Sequence, residues 1–191
     1  MADLFEGYGD TRVLSGSGAP FDEMFAGANT PRAPYGMVHE ALSQMSRDEL
    51  RGRTESLATS YLAQGVTFDF AGEERPFPLD AVPRVISQDE WTGLEAGIQQ
   101  RVRALEAFLA DIYGAQAAIR DNIIPARVIT SSEHFLSAAH NVVAANQVRI
   151  QVSGIDLIRD EAGVWRVLED NVRVPSGVSY VISNRRVMAQ T

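Results

Sequence analysis

The run Gly154-Ile155-Asp156-Leu157-Ile158-Arg159-Asp160-Glu161-Ala162-Gly163-Val164-Trp165-Arg166-Val167-Leu168-Glu169-Asp170-Asn171 decides how this chain is read. The β-formers Val148, Ile150, Val152, Ile155 and Leu157 lead into the turn residues Asp160 to Gly163, and Val164 to Leu168 returns. Acidic residues and a glycine between two apolar runs predict a β-hairpin. If Asp160 pairs with Gly163, Asp156 lies opposite Val167 and Glu169 opposite Gly154. Side chains alternate along a strand, so Asp156, Val167, Glu169 and Asn171 then share a face. Asp156 and Glu169 become diagonal neighbours, with Cα atoms roughly 7–8 Å apart. Gly154 leaves space above the glutamate. A bulge at the turn would break this register.

Two carboxylates and an amide are hard oxygen ligands, suited to Mg²⁺ or Mn²⁺ rather than zinc. Mg²⁺ usually takes one or two carboxylates and completes its shell with waters and phosphate oxygens, which points to a nucleotide partner. The same three residues also read as a polar strand end. The following stretch, Val172-Arg173-Val174-Pro175-Ser176-Gly177-Val178-Ser179-Tyr180, reads as a ligand loop or as a structural Pro-Ser-Gly turn. In the first reading Arg173 offers a planar fork for a carboxylate or phosphate. Ser176, Gly177 and Ser179 offer hydroxyl and backbone donors.

These residues resemble the metal-binding segment of ATP-grasp ligases: an Asp strand, an acidic-Gly turn, Glu169-x-Asn171, then Pro175-Ser176-Gly177. Further blocks are similar to the circularly permuted type 2 ATP-grasp family, related to glutathionylspermidine synthase-like proteins. They are Phe21 to Phe25, Pro31 to Tyr35, Pro76 to Ile86, Leu94 to Ile98 continuing through Leu109 to Gly114, and Leu168 to Tyr180. The resemblance implies an α+β, ATP-grasp-like metal- and substrate-binding portion, with antiparallel hairpins packed with helices. It implies metal ligation by Asp156, Glu169 and Asn171, with Mg²⁺ (or Mn²⁺) and ATP as cofactors. It implies catalytic roles for Arg173 and Ser176, and nucleotide contact by Arg173 and Gly177. Arg173, Ser176, Gly177 and Ser179 would bind substrate. The implied reaction joins a carboxylate to an amine or peptide through an acyl-phosphate.

Two departures stand out. Familiar ligases carry an Arg two residues before the metal Asp, where this chain has Gly154, leaving Arg149 or Arg173 to supply the charge. All 17 basic residues are Arg, and no Gly-rich phosphate loop is present. Most of the ATP contacts are therefore expected from residues beyond this chain, and the isolated chain is expected to be inactive. Residues 1–36 read as an extended arm and 37–191 as the N-terminal portion of a permuted ATP-grasp domain, truncated at its C-terminus. The rival readings are a non-catalytic ATP-grasp-derived binding or assembly module, and a metal-dependent hydrolase.

A net charge of −8 argues against nucleic acid as a partner. The absence of cysteine, of a secretory pattern and of a long apolar run fits a cytoplasmic protein that does not enter a membrane. Phe21, Met24 and Phe25 are expected to anchor the arm. Val38, Leu42 and Met45 suggest a short helix, and Ser46-Arg47-Asp48-Glu49 opens another that Gly65 ends. Val66 to Phe70 and Arg75 to Leu79 predict a second hairpin. Ser87 to Glu90 opens a long helix with Trp91, Leu94, Ile98, Val102, Leu105, Phe108, Leu109 and Ile112 on one stripe. Arg101 and Arg103 fall off the stripe and read as candidate anion contacts or, in preference, as a solvated helix face. Asp80 and Arg84 read as surface charges, and His39, His134 and His140 lack metal spacing. Ala115 to Arg120 and Ser132 to Ala139 read as helical, and Ala126 to Ile129 as a strand. A final helix is expected to start at Ser183 or Asn184. Its Val187 and Met188 would lack apolar neighbours, so the end should fray or associate with another copy.

Overall fold

The computed structural model describes residues 4–8, 20–27 and 29–190, and the local signals can be followed through it directly. The Ser46 hydroxyl accepts from the Glu49 amide at 3.2 Å, while the Glu49 carboxylate accepts from the Ser46 amide at 2.7 Å. This reciprocal cap opens helix α2 (Arg47–Ala63), and Gly65, at φ 67°, follows its end. Ahead of it lie the short strands β1 (Phe25–Gly27) and β2 (Thr30–Pro31) and helix α1 (Gly36–Ser43). The second hairpin pairs β3 (Thr67–Phe70) with β4 (Glu73–Pro76) across Ala71-Gly72, both at positive φ, as two-residue hairpin turns require.

The chain divides into two compact units. The first holds residues 1–88, 157–166 and 176–191, and the second 89–156 and 167–175. In the first, Met24, Phe25, Tyr35 and Leu42 form a buried cluster, with Leu4, Phe5, Val38, Met45 and Leu50 packed on it. The Tyr35 hydroxyl accepts from the Val85 amide at 2.8 Å. A second cluster joins Leu57 and Tyr61 of α2 to Val187. The parts of residues 1–36 outside the described residues are 1–3, 9–19 and 28.

In the second unit, helix α3 (Gln88–Ile112) carries the expected stripe: Leu94, Ile98, Val102, Leu105, Phe108 and Leu109 are half-buried and Ile112 is buried. Trp91 is exposed. Asp111 accepts from the amides of Ala117 and Ala118 at 2.7 and 2.9 Å, which anchors helix α4 (Ala117–Arg120). Those two amides hold the Asp111 carboxyl below its ordinary range. Burial pushes the Glu106 carboxyl up, but the amides of Ile150 and Arg149 outweigh it and hold it low.

Several expectations are corrected. Ala126–Thr130 is a short helix, α5, rather than a strand: Pro125 sets its start, and local helical hydrogen bonds outweigh the β-preference of Val128 and Ile129. Residues 132–139 contain only one 3₁₀ turn, Ser137–Ala139. Residues 148–153 are not strand, because the Glu106 carboxylate takes the amides of Arg149 and Ile150 that a ladder would need. Strands β5 (Gly154–Arg159) and β6 (Trp165–Asn171) pair with each other. Helix α6 (Val178–Met188) starts five residues before Ser183, with Gly177 at φ 101° as its N-cap. Its end is not left without apolar neighbours. Val187 is fully buried against Leu57 and Tyr61, and Met188 packs on the same cluster. The Tyr61 hydroxyl donates to Asn184 Oδ1 at 2.7 Å.

Candidate metal- and substrate-binding site

The hairpin turn differs from the expected one. The Gly163 amide donates to the Asp160 carbonyl at 2.9 Å, and the Asp160 amide donates to the Val164 carbonyl at 3.0 Å. Asp160 therefore opposes Val164 rather than Gly163, and Gly163, at φ 79°, is an extra residue in a bulged turn. Continued unbroken, this register would turn Asp156 and Glu169 to opposite faces. At the base of the hairpin, however, Asn171 rather than Asp170 lies across from Gly154.

The position a Cβ would take on Gly154 lies 3.7 Å from the Asn171 Cβ, so these two residues share a face. Alternation from Gly154 and Asn171 carries Asp156 and Glu169 to that same face, and all three polar side chains are exposed. Asn171 Nδ2 donates to Glu169 Oε1 at 2.9 Å, which leaves the amide oxygen and the second carboxylate oxygen for other partners. The Asp156 carboxylate has no hydrogen bond or ion pair among the described residues.

Gly154 is not beneath open space. Its missing Cβ would lie 3.1 Å from the Pro175 Cβ, so the glycine admits the loop that follows β6. A side chain at this position, where the resemblance leads one to expect an Arg, would crowd Pro175. Of the two candidates for that charge, Arg149 stands 3.5 Å from Glu106, and Arg173 contacts His134 Nδ1 at 3.2 Å. Arg173 is exposed, as are Ser176 and Ser179, and Gly177 is half-buried at the start of α6. His134, which lacks metal spacing in the sequence, thus touches a candidate substrate-binding arginine. The nearby Glu133 in the sequence gave no signal of that contact.

The neighbouring charges are committed to the fold. Arg101 is exposed but paired: its Nε and Nη2 donate to both oxygens of Asp170, each at 2.6 Å. That pair holds the Asp170 carboxyl below its ordinary range and raises the guanidinium. In the other unit Arg84 is not a lone surface charge. It meets Glu23 at 3.1 Å and stands 6.0 Å from the Trp165 ring centroid. Asp80 accepts from the Val82 amide at 2.9 Å. Among the described residues no group of three or more His, Cys, Asp and Glu is arranged to hold a metal ion. The candidate set rests on two carboxylates and an amide. No described helix is long and apolar enough to cross a membrane.

Comparison with known proteins agrees with the ATP-grasp resemblance. Residues 83–191 match the family described as "Circularly permuted ATP-grasp type 2". Over 187 residues the chain is 52% identical to "Uncharacterized protein ML0605" of Mycobacterium leprae, covering 98% of this chain and 33% of that protein. It is 42% identical over 175 residues to "Uncharacterized protein sll0335" of Synechocystis, covering 90% of this chain and 36% of that one. It is 41% identical over 169 residues to "Putative glutamate--cysteine ligase 2-2" of Frankia casuarinae, covering 87% of this chain and 20% of that protein. The chain thus spans about a third of the length of the first of these relatives. With its mixture of helices and small antiparallel hairpins, the chain belongs to the circularly permuted ATP-grasp type 2 family.

Proposed function

We propose that this chain supplies the metal- and acyl-substrate-binding part of an ATP-dependent carboxylate–amine ligase that works through an acyl-phosphate. The observation that carries the reading is the exposed face shared by Asp156, Glu169 and Asn171 in a chain of ATP-grasp descent. The donor set fits Mg²⁺ or Mn²⁺: the oxygens are hard, and two carboxylates leave coordination positions for phosphate oxygens and water. A cation there would neutralise charge as the γ-phosphoryl group passes from ATP to a substrate carboxylate.

The chain's own residues then have distinct tasks. Asp156 and Glu169 would hold the cation, with Asn171, bonded to Glu169, as the third oxygen donor. Arg173 presents two parallel N–H groups to a carboxylate or phosphate. Ser176, Gly177 and Ser179 offer hydroxyl and amide donors to the acyl group. An amine then attacks the acyl carbon, phosphate leaves, and the amide forms. The ligase name of the Frankia relative supports amino acids as carboxylate and amine donors. ATP contacts come mainly from residues outside this chain.

The test uses the full-length protein with ATP, Mg²⁺, glutamate and a panel of amino acids and amines. Amide product with matching release of ADP and phosphate is the expected outcome, and Glu169→Gln should reduce it at least about 100-fold. Product formation at the wild-type rate in Glu169→Gln would remove this face from the mechanism. Binding of ATP without any ligation or phosphate release would favour the non-catalytic module.

A further inference from the structure

Asp170 lies between two candidate metal ligands but faces the other way. Its neighbours Glu169 and Asn171 are exposed, while its own side chain is 19% exposed and held by Arg101. Both oxygens are engaged at 2.6 Å, by Nε and Nη2 of one guanidinium. A two-point contact of this kind fixes the rotation of the carboxylate as well as its distance. Arg101 stands in the middle of the 25-residue helix α3, a rigid support in the same unit.

Such a tether matters because β6 is poorly specified by burial. Four consecutive residues, Arg166 to Glu169, are exposed, and the strand carries one residue more than its partner. Strands without a clearly buried face slip in register easily, and a one-residue slip sends every side chain to the opposite face. Here a slip would turn Asp170 outward and take Glu169 and Asn171 away from Asp156. The residue between the two ligands faces away from them, so it can be gripped from behind without blocking the face they share.

We propose that Arg101 is a positioning residue for the cation site: by gripping Asp170 it fixes the register that turns Glu169 and Asn171 toward the face of Asp156. The proposal rests on the metal-binding reading given above, and it adds a residue 69 positions away in sequence. Arg101 touches no cation or substrate itself.

The test is a Mn²⁺ titration of the isotopically labelled 191-residue chain, following paramagnetic broadening of the amides around Asp156, Glu169 and Asn171. This readout reports a site even at millimolar affinity. Wild type should broaden at all three positions, and Glu169→Gln should not. Arg101→Met should weaken Mn²⁺ binding about 10-fold or more, the usual scale for residues that orient ligands. Arg101→Lys keeps the charge and the stem but loses the fork, and should fall between them. The exchange Arg101→Asp with Asp170→Arg should recover part of the loss, which a general loss of stability would not. Wild-type affinity in both Arg101 variants, with Glu169→Gln defective, would overturn the positioning role and leave the metal site standing. A wild-type chain with no localised broadening would overturn both.

Discussion

The two ends of the β5–β6 hairpin use the same kinds of residue to opposite effect. At the turn, the Asp160 carboxylate accepts from the amides of Ala162 and Val164 and from Arg166 Nε, so both of its oxygens are engaged. Arg159 is 4.1 Å from the Trp165 ring centroid and pairs with Glu23 at 3.1 Å. At the base, Asp156 has no such partner among the described residues, and Glu169 has only Asn171. A carboxylate surrounded by its own donors is spent on the fold. One left on an exposed face without such donors keeps its oxygens available to another partner. The difference separates the structural acids of this chain from the candidate ligands.

The sharpest way to break that comparison is to neutralise one acid at the base. In the full-length protein, Glu169→Gln should lower ATP-dependent ligation by about two to three orders of magnitude. Its stability should stay within about 0.5 kcal/mol, since an exposed side chain is exchanged for one of the same shape. Urea unfolding beside a phosphate-release assay separates the two effects. Equal loss of stability and turnover would place Glu169 with Asp160 among the structural acids.

At the turn the expected pattern reverses. Gly163 has φ 79°, and a Cβ there would lie 2.6 Å from Phe21 Cε2. Gly163→Ala should cost about 2–3 kcal/mol, from the left-handed backbone together with crowding of the ring. The affinity for Mn²⁺ should change little. A variant as stable as wild type in urea would mean that the Phe21 ring moves aside freely.

The acids of the second unit extend the comparison. Glu106 is gripped by two backbone amides at 2.9 to 3.0 Å, and its side chain is 22% exposed. Glu106→Ala would leave those amides to find water. The loss should be about 1–3 kcal/mol, read as a lower urea midpoint with an unchanged slope. Retained stability would show that residues 149–150 are held by other contacts.

Much of this organisation was legible in the chain. Ser46 with Glu49, the α3 stripe and the Ala71-Gly72 turn are local signals, set by the residues that carry them. The shared face of Asp156, Glu169 and Asn171 was expected from a register that proved wrong in detail. Gly163 adds one residue at the turn, yet Asn171 lies across from Gly154 at the base, the parity that the turn alone would have broken. The misreadings share a cause. Val128 and Ile129 look like strand, but Pro125 and local hydrogen bonds make a helix of them. Val148 to Val152 also look like strand, but Glu106, more than 40 residues away, takes two of the amides. Arg101 looked solvated because nothing near it in sequence names Asp170 as its partner. Tertiary partners decided these positions, and hydrophobic period does not encode them.

The smallest effect concerns acid, and it tests whether the Arg101–Asp170 pair belongs with the spent carboxylates. The guanidinium holds the Asp170 carboxyl below its reference value of 3.8 in the folded chain. The unfolded chain therefore takes up this proton first as pH falls. Its contribution to stability is present above about pH 4 and is lost progressively as pH drops through the folded value. Urea midpoints measured between pH 6 and pH 3 should fall toward the acid end in wild type. Asp170→Asn should start lower, because the pair is already broken, and should fall less steeply. Asp111→Asn should behave in the same way, since two amides rather than an arginine hold that carboxyl low. High salt divides the two cases. Screening weakens an ion pair with one partner 43% exposed, so the wild-type excess over Asp170→Asn should shrink in 1 M salt. The excess over Asp111→Asn, carried by short hydrogen bonds to backbone, should persist. Equal salt sensitivity in both would mean that the fork of Arg101 acts on Asp170 through hydrogen-bond geometry, as the two amides act on Asp111, rather than through net charge.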